Sequence, residues 1–342
     1  MNTDWIYSFV DLCLISFIPL VIVALAGMFS EKGGVTNIAL EGIMIFGGFF
    51  GVLVMDYMAM GFGVSIDEMK TASTIITNVW VKVLIYGVSL LSAMIAGFAF
   101  SLLHSFAALH LKADQIITGT ALNIIGPALC LLLASSYGFA GKTGMAKLIL
   151  DNNLFLITST PGLGSIPVIG KLFFQNTYPS FFIGIIVIMI APIVLNLTRF
   201  GLRLKAVGEN PYAAAASGIA VNRYRFIGTS ISGVLAGMAG FFFASTISKE
   251  FSADVAGFGF LGLAVMIFGN WKPSLIPLAA LLFSFFQTLG SGISLIPGGS
   301  SLSSYGPLFS MVPYLATILV LMAFSKHNRA PKYDGIPYSE EV

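Results

Sequence analysis

The chain has 342 residues, of which 57% are hydrophobic and only 9% carry a charge. A soluble globular domain has about 25% charged residues, so this composition excludes an ordinary soluble protein. The formal net charge is +2, which gives no indication of a nucleic-acid partner. In a membrane protein the placement of the charges is more informative than their sum.

Apolar segments recur along the chain at lengths close to the ~20 residues that an α-helix needs to cross a bilayer. They lie at residues 12–29, 38–56, 80–108, 115–137, 180–198, 226–247, 257–270, 274–292 and 310–325. We therefore predict an all-α, polytopic membrane protein with about nine transmembrane helices, in a range of about eight to ten. We expect residues 1–342 to form a single transmembrane domain surrounded by membrane lipid. The seventh segment is short and begins with the helix-breaking residues Gly257 and Gly259, so we expect it to be broken or re-entrant.

The predicted orientation follows from the Lys and Arg residues, which are in excess in cytoplasmic loops. With the N-terminus outside, 11 of the 17 Lys and Arg residues fall on the cytoplasmic side. The prediction is therefore an external N-terminus and a cytoplasmic C-terminus. It makes the loop at about residues 199–225 cytoplasmic and the loop at about residues 138–179 external.

Two short sequences occur twice. Residues 24–28 read ALAGM and residues 234–238 read VLAGM, while MIFG occurs at 44–47 and again at 266–269. On the predicted topology the second copies cross the membrane in the opposite direction to the first. Inverted internal repeats are typical of transporters, with the transport path near the repeat interface. We therefore predict an inverted internal repeat.

The segment SEKGGVTNIALEG, residues 30–42, joins the first two apolar segments. Gly33 and Gly34 are expected to break the helix, and Thr36 or Asn37 can cap the next one. Glu41 then lies in the first turn of that helix. An ionisable residue in a membrane is costly and usually faces protein or water. Glu41 is a polar contact on the translocation path, a brace for the broken helix, or an interfacial carboxylate favoured by the helix dipole.

Asn123 and Gln287 are further polar side chains inside apolar segments. Each either hydrogen-bonds a substrate or ties two helices together. With Asn37 and Glu41, they are the candidate residues of the substrate pathway.

The polar stretch at 203–225 contains GENPYAAAASGI. Asn210 can cap a helix whose first residue is Pro211, where the missing N–H costs nothing. Gly218 is placed to end that helix in a left-handed conformation. Glu209 puts a negative charge near the positive helix N-terminus. The stretch is either a small, alanine-rich contact surface for another protein or an ordinary capped helix in a loop.

Four segments resemble permease subunits of ABC importers, in the branch that handles simple sugars and nucleosides. They are LAGMFSEKGGVTNIALEG at 25–42, KAVGENPYAAAASGI at 205–219, SGVLAGMAG at 232–240 and GFGFLGLAVMIFGNWKP at 257–273. The NIALEG form is similar to the nucleoside-type permeases. Sugar-type members usually have a sequence like GGIDLSVG at that place, which this chain lacks.

The resemblance implies a permease for nucleosides or a related small polar solute in a bacterial cell membrane. It implies three kinds of partner: a cytoplasmic ABC ATPase, a second permease that is a paralogue or an identical copy, and an external solute-binding lipoprotein. It also implies that a coupling helix docks on the ATPase. The residues of this coupling segment are Gly208, Glu209, Asn210, Pro211, Ala214, Ala215 and Gly218. The alternative within the family is a permease for simple sugars or another small metabolite.

The sequence also argues against an enzyme. Its GKT at 141–143 has Ser136 where a phosphate-binding P-loop needs glycine, so we expect ATP hydrolysis on a separate chain. No metal-ligand spacing surrounds His104, His110 or His327, and no catalytic constellation is present. We therefore predict no catalytic residue, no metal and no cofactor.

A stand-alone secondary transporter is the other class of function that the inverted repeat leaves open. Such a protein needs a site for the coupling ion, usually built from buried carboxylates. The nearest candidates are Glu41, Asp114 and Asp254, and none lies clearly in the middle of an apolar segment.

Overall fold

The structure is a computed structural model that describes residues 4–64, 69, 71–136, 148–149, 151, 153–159, 164, 169–248, 250–295, 305–324 and 330–339. Its helices are α1 Asp4–Glu31, α2 Leu40–Gly61, α3 Ala72–Ile75, α4 Val79–Leu109, α5 Gln115–Ser136, α6 Ile169–Phe173, α7 Pro179–Leu197, α8 Arg199–Glu209, α9 Pro211–Ala216, α10 Val221–Thr246, α11 Phe258–Phe268, α12 Ile276–Gly292 and α13 Gly306–Phe324. Its strands are β1 Leu148–Ile149, β2 Ile157–Ser159, β3 Gln175–Thr177 and β4 Glu250–Phe251. The prediction of a mostly helical protein is confirmed.

Among the described residues, six helices are long and apolar enough to cross a membrane: α1, α2, α4, α5, α7 and α10. The chain is therefore a multi-pass membrane protein. The apolar helices α11 and α12 are shorter, with 11 and 17 residues. At 1.5 Å per residue α11 is about 16 Å long, roughly half of the ~30 Å hydrocarbon core. The count of about nine crossings thus stays a prediction.

The helix α10 packs against α1, α2 and α4, and α2 also packs against α4. Glycines bring their backbones close together. A side chain on Gly237 of α10 would collide with the backbone of α4 at Ala93 and Gly97, and one on Gly47 of α2 would collide with Gly237. Small residues at helix crossings are the usual means of close packing in membranes, where lipid tails are as apolar as leucine.

The two repeated sequences pack crosswise. Gly27 of α1 lies against Met266 of α11, and Gly237, its counterpart on α10, lies against Gly47 of α2. In the same way α1 packs on α11 and α12, while α10 packs on α2 and α4. Each copy of the first sequence thus contacts the second sequence of the other half of the chain.

The four short strands form two antiparallel pairs, β1 with β4 and β2 with β3. Three of them fall in the loop predicted at about 138–179, so the all-α prediction missed them. Residues 137–147, 150, 152, 160–163 and 165–168, which include most of that loop, lie outside the described residues.

Candidate functional site: a braced chain break beside the α8–α9 loop

Residues 32–39, between α1 and α2, form a non-helical segment that we call the break. Gly34 has a φ of +83°, a left-handed angle that glycine adopts without steric cost. Gly33 is close to α8, since a Cβ there would lie 3.0 Å from Leu204 Cδ1. Of the two predicted helix-breaking glycines, Gly34 therefore provides the unusual backbone angle and Gly33 the close approach.

The prediction that Thr36 or Asn37 caps α2 is wrong. The N-cap position is occupied by Ala39, which has no side-chain hydrogen bond to the helix. The acceptor comes from another helix instead, because Asn123 Oδ1 of α5 accepts a hydrogen bond of 2.8 Å from the Gly42 N–H.

The other end of the Asn123 amide is also used within the chain, since Nδ2 donates to the Ile38 carbonyl at 2.8 Å. Of the two predicted roles for Asn123, the geometry matches a tie between helices. Gln287 does not join this group. It is half-buried on α12, a helix that packs against α1, α11 and α13.

Three buried polar side chains hold the break from three helices. The Thr36 N–H donates to Gln115 Oε1 of α5 at 2.8 Å. His104 Nε2 of α4 donates to the Thr36 carbonyl at 2.9 Å, because a carbonyl can only accept. Asn37 Nδ2 donates to Ser232 Oγ of α10 at 2.9 Å. The first two bonds satisfy the backbone N–H and carbonyl of Thr36, which would otherwise be buried without a partner.

Sequence reasoning missed Gln115 and Ser232 and gave His104 no partner. His104 and Ser232 are fully buried, and Gln115 is 2% exposed. The signal was present, since a polar side chain in an apolar segment normally has a hydrogen-bond partner. The identity of the partner could not be read from the sequence, because Gln115 bonds a residue 79 positions away.

Glu41 lies in the first turn of α2 and caps a different helix, α11. Its carboxylate accepts hydrogen bonds from the Gly257 N–H at 2.9 Å and from the Gly259 N–H at 2.6 Å. A third, longer bond comes from the Phe260 N–H at 3.4 Å. A carboxylate at a helix N-terminus satisfies orphan N–H groups and complements the helix dipole. The geometry thus matches the predicted brace for a broken helix.

Gly257 and Gly259 fit this role in different ways. Gly257 has a φ of +77° at the N-cap of α11, and a Cβ on Gly259 would press against the backbone of Glu41 at 2.5 Å. The left-handed angle of Gly257 turns the chain into α11, and the missing side chain of Gly259 leaves room for Glu41.

The segment at residues 199–220, which we call the α8–α9 loop, contains α8 and then α9, which spans Pro211–Ala216. Asn210 is its N-cap, with Oδ1 accepting from the Ala213 N–H at 3.0 Å. Gly218 follows with a φ of +79°. Asn210 as the N-cap, Pro211 as the first helical residue and Gly218 at a left-handed angle each adopt the local geometry predicted for them. Glu209 ends α8 and is exposed.

The alanines of α9 do not share one environment. Ala214 is 4% exposed and packs with Val207 and Val221 inside the chain. Ala215 is half-buried. Ala214 therefore lies on the inward side of α9, and the predicted contact of this segment with another protein stays a prediction. The outward side chains of α9 are Tyr212, Ala213 and Ala216, followed by Ser217.

The α8–α9 loop lies directly against the break. A Cβ on Gly208, near the end of α8, would collide with the Lys32 carbonyl. Arg225, on α10, reaches the same place, because a Cβ on Gly34 would lie 3.0 Å from its Nη2. The two regions that the sequence singled out separately thus form one continuous site.

Burial shifts the pKa values of two charged groups where the α8–α9 loop meets the break. Desolvation lowers the pKa of Lys32, while the Glu209 carboxylate opposes that shift. Desolvation raises the pKa of Asp334, in the C-terminal segment, to about 7, although Thr36 donates a hydrogen bond to it and Arg225 and Lys32 oppose the shift.

Among the described residues, no group of three His, Cys, Asp or Glu side chains is arranged to hold a metal ion. His327 falls outside those residues. The contacts that build this site are hydrogen bonds and close packing.

Residues 9–321 match the family described as branched-chain amino acid transport system / permease component. The chain is 40% identical to the nucleoside ABC transporter permease protein NupC of Lactococcus lactis subsp. cremoris (strain MG1363), over 95% of this chain and 94% of that protein. It is 40% identical to the guanosine ABC transporter permease protein NupQ of Bacillus subtilis (strain 168), over 94% and 92%. A second Lactococcus protein, the nucleoside ABC transporter permease protein NupB, is 36% identical over 33% of this chain and 31% of its own length.

Proposed function

This chain belongs to the family of transport-system permease components that its residues 9–321 match, and from that premise we propose that it is the permease of an ATP-driven importer of nucleosides. The observation that carries the proposal is the 40% identity to NupC, over 95% of this chain. NupQ, whose name specifies guanosine, is equally similar at 40%.

The substrate class is argued from these full-length relatives rather than from the family description. That description refers to branched-chain amino acids, but it covers a broad family, whereas both relatives at 40% identity have nucleoside or guanosine in their names. A simple-sugar permease is the second candidate. A haloarchaeal relative named for glucose is 26% identical over 88% of this chain, so the similarity favours nucleosides.

We place the ATPase contact on the exposed face of α9. Asn210 and Gly218 fix both ends of this helix, and Tyr212 is 39% exposed. Tyrosine is enriched at protein interfaces, because it offers a large, rigid contact surface. Behind α9, Gly208 contacts the break. A push on α9 by a separate ATPase chain would therefore reach the loop between α1 and α2.

The second permease in this proposal is a paralogue, because Lactococcus has two proteins named as nucleoside ABC permeases, both similar to this chain. An external solute-binding lipoprotein delivers the nucleoside.

The outer faces of α5 and α7 are apolar, with Ile124 74% and Ile190 50% exposed. Such faces suit lipid or the second permease.

In the proposed topology the N-terminus is external and the C-terminus is cytoplasmic. The six long helices, with α11, α12 and α13, make about nine crossings or part-crossings. The crosswise packing of Gly27 on Met266 and of Gly237 on Gly47 supports an internal repeat. The basic residues Arg203, Lys205 and Arg223 then face the cytoplasm with α9.

The experiment is uptake of radiolabelled guanosine by a strain that lacks this permease and by the same strain complemented with it. Uptake should return on complementation and should be inhibited by excess adenosine or uridine. Ribose and leucine at the same excess should have little effect. Inhibition by ribose or leucine, with none by nucleosides, would overturn the nucleoside assignment in favour of the sugar or amino-acid alternative.

A further inference from the structure

The C-terminal residues 330–339, which we call the strap, lie across the α8–α9 loop and the break. The Tyr333 N–H donates to the Gly208 carbonyl at 3.0 Å. Arg225 Nη1 of α10 donates to the Ile336 carbonyl at 2.9 Å. Pro331 is buried. A polar C-terminal tail is usually poorly ordered unless contacts tie it down, and here backbone atoms of the strap are tied to α8 and α10.

Aromatic contacts attach the strap to α9. The ring of Tyr212 lies with its centroid 6.0 Å from that of Tyr333 and 5.3 Å from that of Tyr338. Tyr338 also packs on the small cluster that contains Ala214 and Val207. The helix α9 therefore rests partly on the strap, through the Tyr212 ring and through the cluster that contains Ala214.

Other strap atoms reach the break. Thr36 donates a side-chain hydrogen bond to Asp334. A Cβ on Gly335 would lie 3.0 Å from Thr36 Oγ1, and a Cβ on Gly34 would lie 3.1 Å from the Tyr333 carbonyl oxygen. Both faces of the strap are therefore in contact, one with α9 and one with the break.

The charges between these elements are buried. Arg225 is 1% exposed, and within the part of the chain that the structure describes its Nε and Nη2 have no hydrogen-bond partner, as is also true of Asp334 Oδ1. The Arg225 guanidinium and the Asp334 carboxyl group attract each other. A buried guanidinium is costly unless it is paired and hydrogen-bonded. Without the strap, Arg225 would lose its bond to Ile336 and its nearby carboxylate.

We propose that the strap is a positioning element that transmits movement of α9 to the break, so that the ATPase and the membrane helices move together. This inference rests on the proposed function, because it takes α9 as the ATPase contact. The alternative is that residues 330–339 merely cover the surface. The two differ in outcome, because loss of a transmitting element leaves ATP hydrolysis intact and uncouples it from transport.

The test uses the full complex of this permease with its second permease, ATPase and binding protein, reconstituted in proteoliposomes. Tyr338→Ala removes the contact with α9, and Asp334→Ala removes the contact with Thr36. Tyr338→Phe keeps the ring and serves as the matched control. Three quantities are measured: co-purification of the ATPase, ATP hydrolysis stimulated by loaded binding protein, and nucleoside taken up per ATP.

Both alanine variants should retain the ATPase and its hydrolysis, while uptake per ATP falls about fivefold or more, the scale of a coupling free energy. Tyr338→Phe should behave as wild type. Unchanged uptake per ATP in both alanine variants would overturn the role of the strap. Hydrogen exchange at the break gives an independent measure, and unchanged exchange of residues 33–38 in both variants would overturn it too. Failure of the wild-type permease to bind an ATPase would instead contradict the proposed function.

Discussion

Glu41 on α2 accepts a hydrogen bond of 2.6 Å from the backbone N–H of Gly259 on α11, 218 positions later in the chain. This bond joins the two places where the membrane helices are interrupted, the break before α2 and the start of α11. Because the carboxylate is only 7% exposed, it acts as a structural cap inside the helical bundle.

Replacing Glu41 should therefore destabilise the start of α11. Glu41→Ala leaves the N–H groups of Gly257 and Gly259 without an acceptor, at a cost of about 1–3 kcal/mol. Glu41→Gln keeps one acceptor oxygen and should lose less. Thermal unfolding of the detergent-solubilised permease, followed by gel filtration, provides the measurement. Equal unfolding temperatures for Glu41→Ala and wild type would contradict the capping role.

A side chain at Gly208 should loosen the contact between the α8–α9 loop and the break. The Cβ of Gly208→Ala would collide with the Lys32 carbonyl, and overpacking of this kind typically costs about 1–3 kcal/mol. Gly87→Ala on α4 is the matched control, because a Cβ there meets nothing within 4 Å. We expect lower thermal stability and reduced uptake for Gly208→Ala and neither for Gly87→Ala. Identical behaviour of the two variants would rule out the proposed tight contact.

Two neighbouring alanines of α9 should respond differently to tryptophan. Ala213 is exposed, whereas Ala214 is 4% exposed and packs inside the chain. Ala213→Trp should leave the permease stable but reduce co-purification of the ATPase, because it adds bulk to the outward face. Ala214→Trp should lower the thermal stability of the permease itself. Normal ATPase binding and uptake by a stable Ala213→Trp permease would count against α9 as the docking helix.

The strap should be held less firmly as pH rises. Burial raises the pKa of Asp334 from 3.8 to about 7. The folded state thus binds more protons than the unfolded state between these values, so stability falls as pH rises through that window and levels off above it. Glu31, Lys32 and Arg225 face this carboxyl group from α1, the break and α10.

Asp334→Asn removes the titrating group and should reduce this pH dependence. Thermal unfolding of both proteins between about pH 5 and pH 8 measures the effect. Wild type should lose more stability than Asp334→Asn over this range. Parallel curves for the two proteins would show that Asp334 does not titrate there.

Local features of the site could be predicted from the sequence, and long-range partners could not. Asn210 and Gly218 act on residues within three positions or on their own backbone angle, so the sequence around them was sufficient. The cap of α2 was assigned to Thr36 or Asn37, the nearest polar residues, but the acceptor is Asn123, 81 positions from Gly42. A local rule cannot identify a partner that folding brings in from another helix.

The environment of Ala214 and the strap were missed for a related reason. A run of four alanines has no polar or bulky member to show which side is buried, and that side is set by Val207 and Val221. Nothing in the C-terminal sequence predicted that Tyr333 and Tyr338 pack against Tyr212. Composition alone cannot predict such packing.

We have proposed that ATP hydrolysis by a separate chain drives nucleosides through this permease. Proteoliposomes containing the permease pair and its ATPase, supplied with binding protein and radiolabelled guanosine, test it most directly. We expect guanosine to accumulate only when ATP and a functional ATPase are present, and to the same level with or without an imposed proton or sodium gradient. Accumulation driven by such a gradient without ATP would contradict it and identify a secondary transporter instead.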